Sequence, residues 1–209
     1  MSRTRVKICG ITREQDVLDA AAAGADAIGF VFYDASPRNV SIEQAAELLA
    51  ATPAFVTSVA LIKDAEARFV EQVLEAVPVD LLQFHGTEPA AFCRQFGRPY
   101  IKALGMLGET DISAKAASYE DARGILLDAH APGGDGGTGD RFDWNNIPPD
   151  LSDRLVLAGG LDPDNVYDAV RITRPYAVDV SSGVEQQKGI KSADKIRRFI
   201  EQVGKADSE

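Results

Sequence analysis

Short runs of apolar and β-branched residues alternate along the chain with longer stretches in which apolar residues recur at helical spacing. We predict strands over residues 6–9, 27–32, 55–61, 80–84, 100–104, 124–128, 155–158 and 177–180. Each interval between successive strands has room for one helix, as the crossover between parallel strands requires. Phe69, Val70, Val73, Leu74 and Val77 would share one face of such a helix. The pattern therefore indicates a series of β/α units.

Eight β/α units predict an α/β protein, a single (β/α)8 TIM barrel in which residues 1–209 form one domain. The helical pattern is weak after the fifth and sixth strands, so we expect short or irregular helices there. We expect the acidic end, residues 206–209, to be a disordered tail. An open doubly wound sheet is the alternative, but the first strand is not followed by GxGxxG.

Charge and composition exclude several function classes. A net charge of −10 argues against a nucleic-acid partner or an anionic membrane, because both need basic patches. Cys9 and Cys93 lack metal-ligand spacing, and the chain has only two histidines, so we expect no metal and no other cofactor. No apolar run reaches membrane-spanning length and the first residues lack a signal-peptide core. We therefore expect a cytoplasmic location.

Two strand ends carry residues suited to proton transfer. Lys7 and Cys9 are two apart in the first predicted strand, so both side chains point to one face. A thiol beside an ammonium group can ionise to a thiolate, which is a base or a nucleophile. Asp128 closes the sixth predicted strand and is a candidate acid. A base and an acid at the C-terminal ends of barrel strands, where barrel active sites lie, predict an enzyme.

Other polar and glycine-rich residues cluster at the same predicted end of the barrel. They lie in segments 36–38, 83–86, 158–160 and 179–183. Together with the two strand ends above, their motifs are similar to those of the phosphoribosylanthranilate isomerase family of tryptophan biosynthesis. The matching motifs are KICGIT (7–12), SPR (36–38), QFHG (83–86), LD (127–128), GGTG (136–139), FDW (142–144), LAGGL (157–161) and DVSSGVE (179–185).

The resemblance implies an Amadori rearrangement, the third step of tryptophan synthesis from chorismate. N-(5-phosphoribosyl)anthranilate would become 1-(2-carboxyphenylamino)-1-deoxyribulose 5-phosphate. By the same resemblance, Asp128 would protonate the furanose ring oxygen and Cys9 would remove the proton from C2 of the sugar. Arg38 would bind the anthranilate carboxylate, and Asp179 would assist on the aniline side. Lys7 would favour the Cys9 thiolate, since a nearby cation stabilises it.

The remaining candidate site residues would bind substrate. Gln83 and His85 would line the pocket, with His85 in a structural or hydrogen-bonding role rather than as an acid or base. Gly139 lies in a glycine-rich stretch that would act as a lid. The substrate phosphate would meet backbone amides after strands seven and eight, at Gly159, Gly160, Ser182 and Gly183. The small-molecule substrate is the expected partner, and the protein would be a monomer or a homodimer.

Alternative roles stay open for these residues. Cys9 could be a small buried hydrophobic residue, and Asp128 could cap a helix or pair with a lysine. Lys7 could neutralise a barrel carboxylate, Arg38 could be an exposed loop arginine, and Asp179 could form an ion pair in the barrel mouth.

Three alternative functions also remain. A histidine-pathway aminoaldose isomerase would carry aspartate at position 9, in a longer chain with two similar halves. A pentulose-phosphate epimerase would need metal-binding histidines that are scarce here. A non-catalytic sugar-phosphate-binding barrel would not need Cys9, Asp128 and Arg38 together.

Overall fold

The computed structural model describes residues 3–108, 111–129 and 142–209. Eight parallel strands pair in chain order, and the first pairs with the last to close a barrel. The strands are β1 Arg5–Cys9, β2 Ala27–Phe32, β3 Thr57–Ile62, β4 Leu81–Phe84, β5 Tyr100–Gly105, β6 Gly124–Asp128, β7 Leu155–Leu157 and β8 Ala177–Val180. The predicted (β/α)8 barrel is confirmed.

Helices follow most of the strands on the outside of the barrel. They are α1 Glu14–Ala23, α2 Ile42–Ala50, α3 Ala67–Ala76, α4 Ala90–Arg94, α5 Ile112–Ala117, α6 Val166–Thr173 and α7 Ala193–Asp207. The described residues between β6 and β7 form only two 3-10 segments, Trp144–Asn146 and Pro149–Arg154. The weak helical pattern after strands five and six is thus explained by a six-residue helix and by 3-10 turns. None of the described helices is long and apolar enough to cross a membrane.

Hydrogen bonds hold the last helix of the chain against the start of the first strand. Helix α7 continues to Asp207, whose carboxylate accepts hydrogen bonds from the Thr4 backbone amide at 2.8 Å and from its hydroxyl at 2.7 Å. The expectation of disorder from residue 206 is therefore wrong for the last helical turn. An acidic composition suggested a solvated tail, but these bonds attach the helix to the start of β1.

A short antiparallel pair that the sequence pattern did not predict follows β8. It consists of β9 Glu185–Gln187 and β10 Ile190–Lys191, which turn at Gly189 with a left-handed φ of 77°. The Thr12 hydroxyl donates a hydrogen bond to the Gly189 carbonyl. The hairpin therefore connects the loop after β8 with the loop after β1.

Strand alternation separates the packing of the barrel from its chemistry. On β1, Val6 and Ile8 point outward into the main hydrophobic core between strands and helices. A separate cluster of buried apolar residues fills the lower barrel interior: Ile101, Ala103, Leu126, Val156, Ala158 and Ala177. By the same alternation, Lys7 and Cys9 point inward, above that cluster. The C-terminal end of the barrel interior is thus left to polar side chains.

Candidate active site

A cavity of about 320 Å³ opens at the C-terminal ends of the strands. Six of the predicted site residues line it: Cys9, Arg38, Gln83, His85, Asp128 and Asp179. Lys63, Lys188 and Ser181 also contribute to its wall, together with apolar Val31 and Leu61 and the ring of Tyr33. One cavity therefore holds a thiol, two carboxylates, an imidazole and a guanidinium group.

The Lys7 ammonium lies beside Cys9 and forms a buried ion pair with Asp179, with Nζ donating to Oδ1 at 2.8 Å. The side chains of the pair are only 6% and 8% exposed. The alternative in which Lys7 neutralises a barrel carboxylate is confirmed, as is the ion pair of Asp179. Burial would lower the pKa of Lys7, but Asp179 and Cys9 raise it overall, so the ammonium stays protonated.

The pKa of the Cys9 thiol is raised above its usual value, although the nearby Lys7 ammonium was expected to favour the thiolate. Burial is the main cause, and the Asp179 carboxylate adds to it, while Lys7 opposes both. Lys7 does favour the thiolate, as predicted, but burial outweighs its effect and the Asp179 carboxylate, which pairs with Lys7, offsets part of it. The ionisation of Cys9 therefore depends on what else enters the site.

Gly29 on β2 provides the space for these two side chains. It pairs in register with Cys9, and a Cβ at this position would lie 3.0 Å from Cys9 Sγ and 3.2 Å from Lys7 Nζ. A glycine inside a predicted strand is the sequence signal for such a close approach. Gly29 therefore belongs to the site although it has no side chain.

A hydrogen-bonded row of side chains leads from β4 to Asp128. Gln83 Nε2 lies 3.1 Å from His85 Nδ1, and His85 Nε2 lies 3.5 Å from Asp128 Oδ2. With Gln83 donating to Nδ1, a neutral His85 carries its proton on Nε2, the nitrogen that faces Asp128. The expected hydrogen-bonding role of His85 is consistent with this geometry. Gln83 Oε1 is buried and makes no hydrogen bond within the described part of the chain.

Asp128 is buried at the end of β6 and its Oδ1 accepts a hydrogen bond from the Ala129 amide at 2.7 Å. Gly159 packs directly against this group: its φ is 82°, and a Cβ there would lie 2.5 Å from Ala129 N and 3.1 Å from Asp128 Oδ1. Gly159 is therefore required for the close approach of the loop after β7 to Asp128.

Arg38 is buried, so the alternative of an exposed loop arginine is wrong. Its guanidinium forms two hydrogen bonds with Glu185 on β9, from Nε at 2.7 Å and from Nη2 at 3.0 Å. Gly10, with a φ of 74°, leaves room for the Arg38 stem, since a Cβ there would lie 2.5 Å from Arg38 Cδ. The partner Glu185 was not identified from the sequence as a site residue.

The four predicted phosphate-binding positions lie close to one another at the loops after β7 and β8. Gly159 and Gly160 have left-handed φ values of 82° and 63°. Ser182 and Gly183 begin the 3-10 turn Ser182–Val184, and Gly183 packs against the Leu161 carbonyl. The loop after β8 therefore contacts the loop after β7 next to Ser181, which lines the cavity, whereas the four positions themselves are not among the described residues that line it. Gly139 lies outside the described residues.

Comparison with known proteins places this geometry in a family. The family model for N-(5'-phosphoribosyl)anthranilate (PRA) isomerase matches residues 6–202. The chain is 59% identical over 199 residues to the N-(5'-phosphoribosyl)anthranilate isomerase of Thiobacillus denitrificans, covering 95% of this chain and 97% of the relative.

Two solved structures are similar over nearly the whole chain. A phosphoribosyl anthranilate isomerase in complex with reduced 1-(o-carboxyphenylamino)-1-deoxyribulose 5-phosphate is 40% identical, with a TM-score of 0.84 and coverage of 97% of this chain and 99% of that one. Monomers generated from the dimeric enzyme of Thermotoga maritima are 39% identical, with a TM-score of 0.83 and coverage of 96% and 98%. The chain belongs to the N-(5'-phosphoribosyl)anthranilate isomerase family.

Proposed function

We propose that this cavity converts N-(5'-phosphoribosyl)anthranilate into 1-(o-carboxyphenylamino)-1-deoxyribulose 5-phosphate, with Asp128 as general acid and Cys9 as general base. The observation that carries the proposal is that both side chains, from β6 and β1, line one cavity that also contains Arg38. An Amadori rearrangement needs an acid and a base at different atoms of one sugar, and it needs no cofactor.

The first step is ring opening. The Asp128 carboxylic acid gives its proton to the furanose ring oxygen, the C1–O bond breaks, and the aniline nitrogen forms a cationic Schiff base with C1. His85 Nε2 and the Ala129 amide then stabilise the carboxylate that remains on Asp128.

The second step is proton abstraction at C2. The Cys9 thiolate takes the proton, the C–H electrons form the C1=C2 bond, and the C1=N π electrons return to nitrogen. The resulting neutral enolamine tautomerises to the ketone. The raised pKa of Cys9 is compatible with this role, because the Schiff-base cation forms next to the thiol and favours its ionised form. The thiol gives its own proton to solvent, and the cation formed on ring opening makes that ionisation easier.

The two anionic ends of the substrate would bind on different loops. The phosphate would meet the amides of Gly159, Gly160, Ser182 and Gly183, whose glycines allow the backbone to approach closely. The anthranilate carboxylate would meet Arg38, which follows Pro37 in the loop after β2. Direct support would come from adding purified protein to enzymatically generated N-(5'-phosphoribosyl)anthranilate and following the loss of its fluorescence. No loss of fluorescence would contradict the proposed activity.

Arg38→Ala should separate the two ends of the substrate. Loss of a charge-assisted contact should weaken binding of the reduced, carboxylated product analogue about 10- to 150-fold, while inorganic phosphate binds almost as before. Calorimetric titration of both ligands measures the difference. Arg197→Ala, on the exposed face of α7, is the matched control and should change neither affinity. Equal losses for both ligands would mean that Arg38 maintains the pocket instead of contacting the carboxylate.

We also propose that the chain forms a homodimer through the loop before β3. Phe55 is fully exposed, at 104%, and has a left-handed φ of 71° that is unfavourable for a bulky residue. By topology this loop lies at the N-terminal end of the barrel, away from the cavity. The similar enzyme of Thermotoga maritima is described as dimeric. Burial of Phe55 against a second copy would account for its exposure in one chain.

Phe55→Ser should therefore weaken self-association without changing kcat. Sedimentation of the wild type at micromolar concentration should give the dimer mass, and the variant should give the monomer mass. Leu18→Ser removes an apolar residue that is 42% exposed on α1 and should leave the dimer intact. A wild type that sediments as a monomer at every concentration would contradict the dimer.

A further inference from the structure

Arg38 is held in place by a buried cluster that lies outside the barrel sheet. Glu185 accepts the two hydrogen bonds from Arg38 described above, and its Oε1 also accepts one from Lys191 Nζ at 3.0 Å. The side chains of Arg38, Glu185 and Lys191 are 10%, 6% and 0% exposed. Removing three charged groups from water is costly unless they are paired, so these contacts define one arrangement.

The hairpin β9–β10 brings the cluster together. Lys191 pairs in register with Glu185 across the two short strands, so their side chains are cross-strand neighbours. Lys191 Nζ also donates to the Ser181 carbonyl at 3.1 Å, and Ser181 lines the cavity. Lys195 Nζ donates to the Glu185 carbonyl at 2.7 Å. The hairpin therefore fixes both the carboxylate of Glu185 and the loop after β8.

The contacts of Arg38 leave one edge of its guanidinium available. Glu185 occupies the side edge formed by Nε and Nη2. Nη1 makes no hydrogen bond to any residue that the structure describes, so the end edge formed by Nη1 and Nη2 remains for a ligand. Two cations and one anion give the cluster a net positive charge. It can therefore receive an additional carboxylate.

We propose that Glu185 and Lys191 are positioning residues that hold the end edge of Arg38 toward the anthranilate carboxylate and thereby set the selectivity for carboxylated substrates. The inference rests on the proposed function, in which Arg38 contacts that carboxylate. Glu185 fixes the orientation of the planar guanidinium, and Lys191 supplies the charge that keeps the cluster attractive to an anion.

The charge state of Glu185 is consistent with its hydrogen bonds to Arg38 and Lys191. Burial alone would raise the pKa of Glu185, but the hydrogen bond from Arg38 and the charge of Lys191 lower it overall. Glu185 is therefore ionised at neutral pH and accepts from both Arg38 and Lys191. Burial lowers the pKa of Lys191 below its usual range, and the charge of Glu185 opposes that shift.

The test uses Glu185→Gln, which preserves shape but removes the charge. Three ligands are titrated: the reduced product analogue, the same compound without the anthranilate carboxylate, and inorganic phosphate. We expect the carboxylated analogue to bind about 5- to 30-fold more weakly and the other two to change less than about twofold. Glu201→Gln, exposed on α7, is the matched control and should bind all three ligands like the wild type.

A double-mutant cycle separates positioning from a general structural effect. If Glu185 acts through Arg38, Glu185→Gln should have no further effect on the affinity of the carboxylated analogue in an Arg38→Ala background. Tighter binding of that analogue by Glu185→Gln would overturn the inference, because Glu185 would then compete with the substrate for Arg38. Equal losses for all three ligands would also overturn it, because Glu185 would then only support the loop.

A second variant keeps the inference testable if Glu185→Gln does not fold. Lys191→Met retains the Arg38–Glu185 pair but removes the excess positive charge, so it should weaken only the carboxylated analogue. Unchanged binding of that analogue by Lys191→Met would overturn the charge assignment. The proposed function fails separately: if Arg38→Ala itself binds the carboxylated analogue normally, Arg38 does not contact the carboxylate.

Discussion

Cys9→Ser is expected to lower kcat by at least ~10²-fold while the barrel remains folded, because a serine hydroxyl has nearly the same size but is a far weaker base. The variant keeps a small side chain beside Gly29 and Lys7, so the packing around it changes little. The measurement is the rate at which the fluorescence of enzymatically generated N-(5'-phosphoribosyl)anthranilate disappears under saturating substrate. A near-normal kcat would eliminate Cys9 as the base.

Cys93→Ser is the matched control. Cys93 is also buried, but it lies on α4, and burial raises the pKa of its thiol to about 12, so it cannot act as a base at neutral pH. This variant should retain kcat within about twofold while making the same replacement of a buried thiol by a hydroxyl. Thermal unfolding of both variants separates lost chemistry from lost stability.

If Cys9 is the base, kcat/KM should change with pH in a predictable direction. Because the pKa of Cys9 is raised by burial and by Asp179, the thiol is mostly protonated in the unoccupied site, and kcat/KM should rise with pH as the thiolate forms. Asp179→Asn removes the anion that raises this pKa and leaves Lys7 unpaired beside the thiol. Its kcat/KM profile should therefore rise at lower pH than that of the wild type, whatever the change in maximal rate.

The fold could be predicted from the sequence because barrel strands are buried on both sides and appear as apolar runs. Residues 27–32, 124–128 and 177–180 have the predicted strand bounds. The strand predicted from residue 55 begins at Thr57 because Phe55 has left-handed backbone geometry. The hairpin β9–β10 could not be predicted, because its strands are short and mostly polar and are held by tertiary contacts.

The sequence predicted six of the residues that line the cavity, but the contacts between them could be predicted only within one strand. Alternation along β1 placed Lys7 and Cys9 on one face, and the structure confirms this. The raised pKa of Cys9 was not predicted because its main cause is burial in the closed barrel, and because Asp179, which adds to it, is far away in the sequence and reaches the site only when β8 closes the barrel. Glu185 was missed for the same reason: its contact with Arg38 joins residues 147 positions apart.

Asp128→Asn should lower kcat about as much as Cys9→Ser does, because it prevents ring opening, the step that precedes proton abstraction. Asparagine keeps the shape of the side chain, and its carbonyl oxygen can still accept the hydrogen bond from the Ala129 amide. It has no carboxylic proton to give to the ring oxygen, so kcat should fall by at least ~10²-fold. The Kd of the reduced product analogue should change by less than about threefold, since that ligand is already ring-opened.

Single-turnover kinetics and ligand titration together decide the role of Asp128. Asp164→Asn, which is 81% exposed at the side chain, is the matched control for replacing a carboxylate by an amide, and it should change neither quantity. If Asp128→Asn bound the analogue poorly but converted bound substrate at the normal rate, Asp128 would be a binding residue and the acid would have to be another group. His85 is the neighbour at 3.5 Å that could then supply the proton, and a loss of kcat in His85→Gln larger than that in Asp128→Asn would assign the acid to the imidazole.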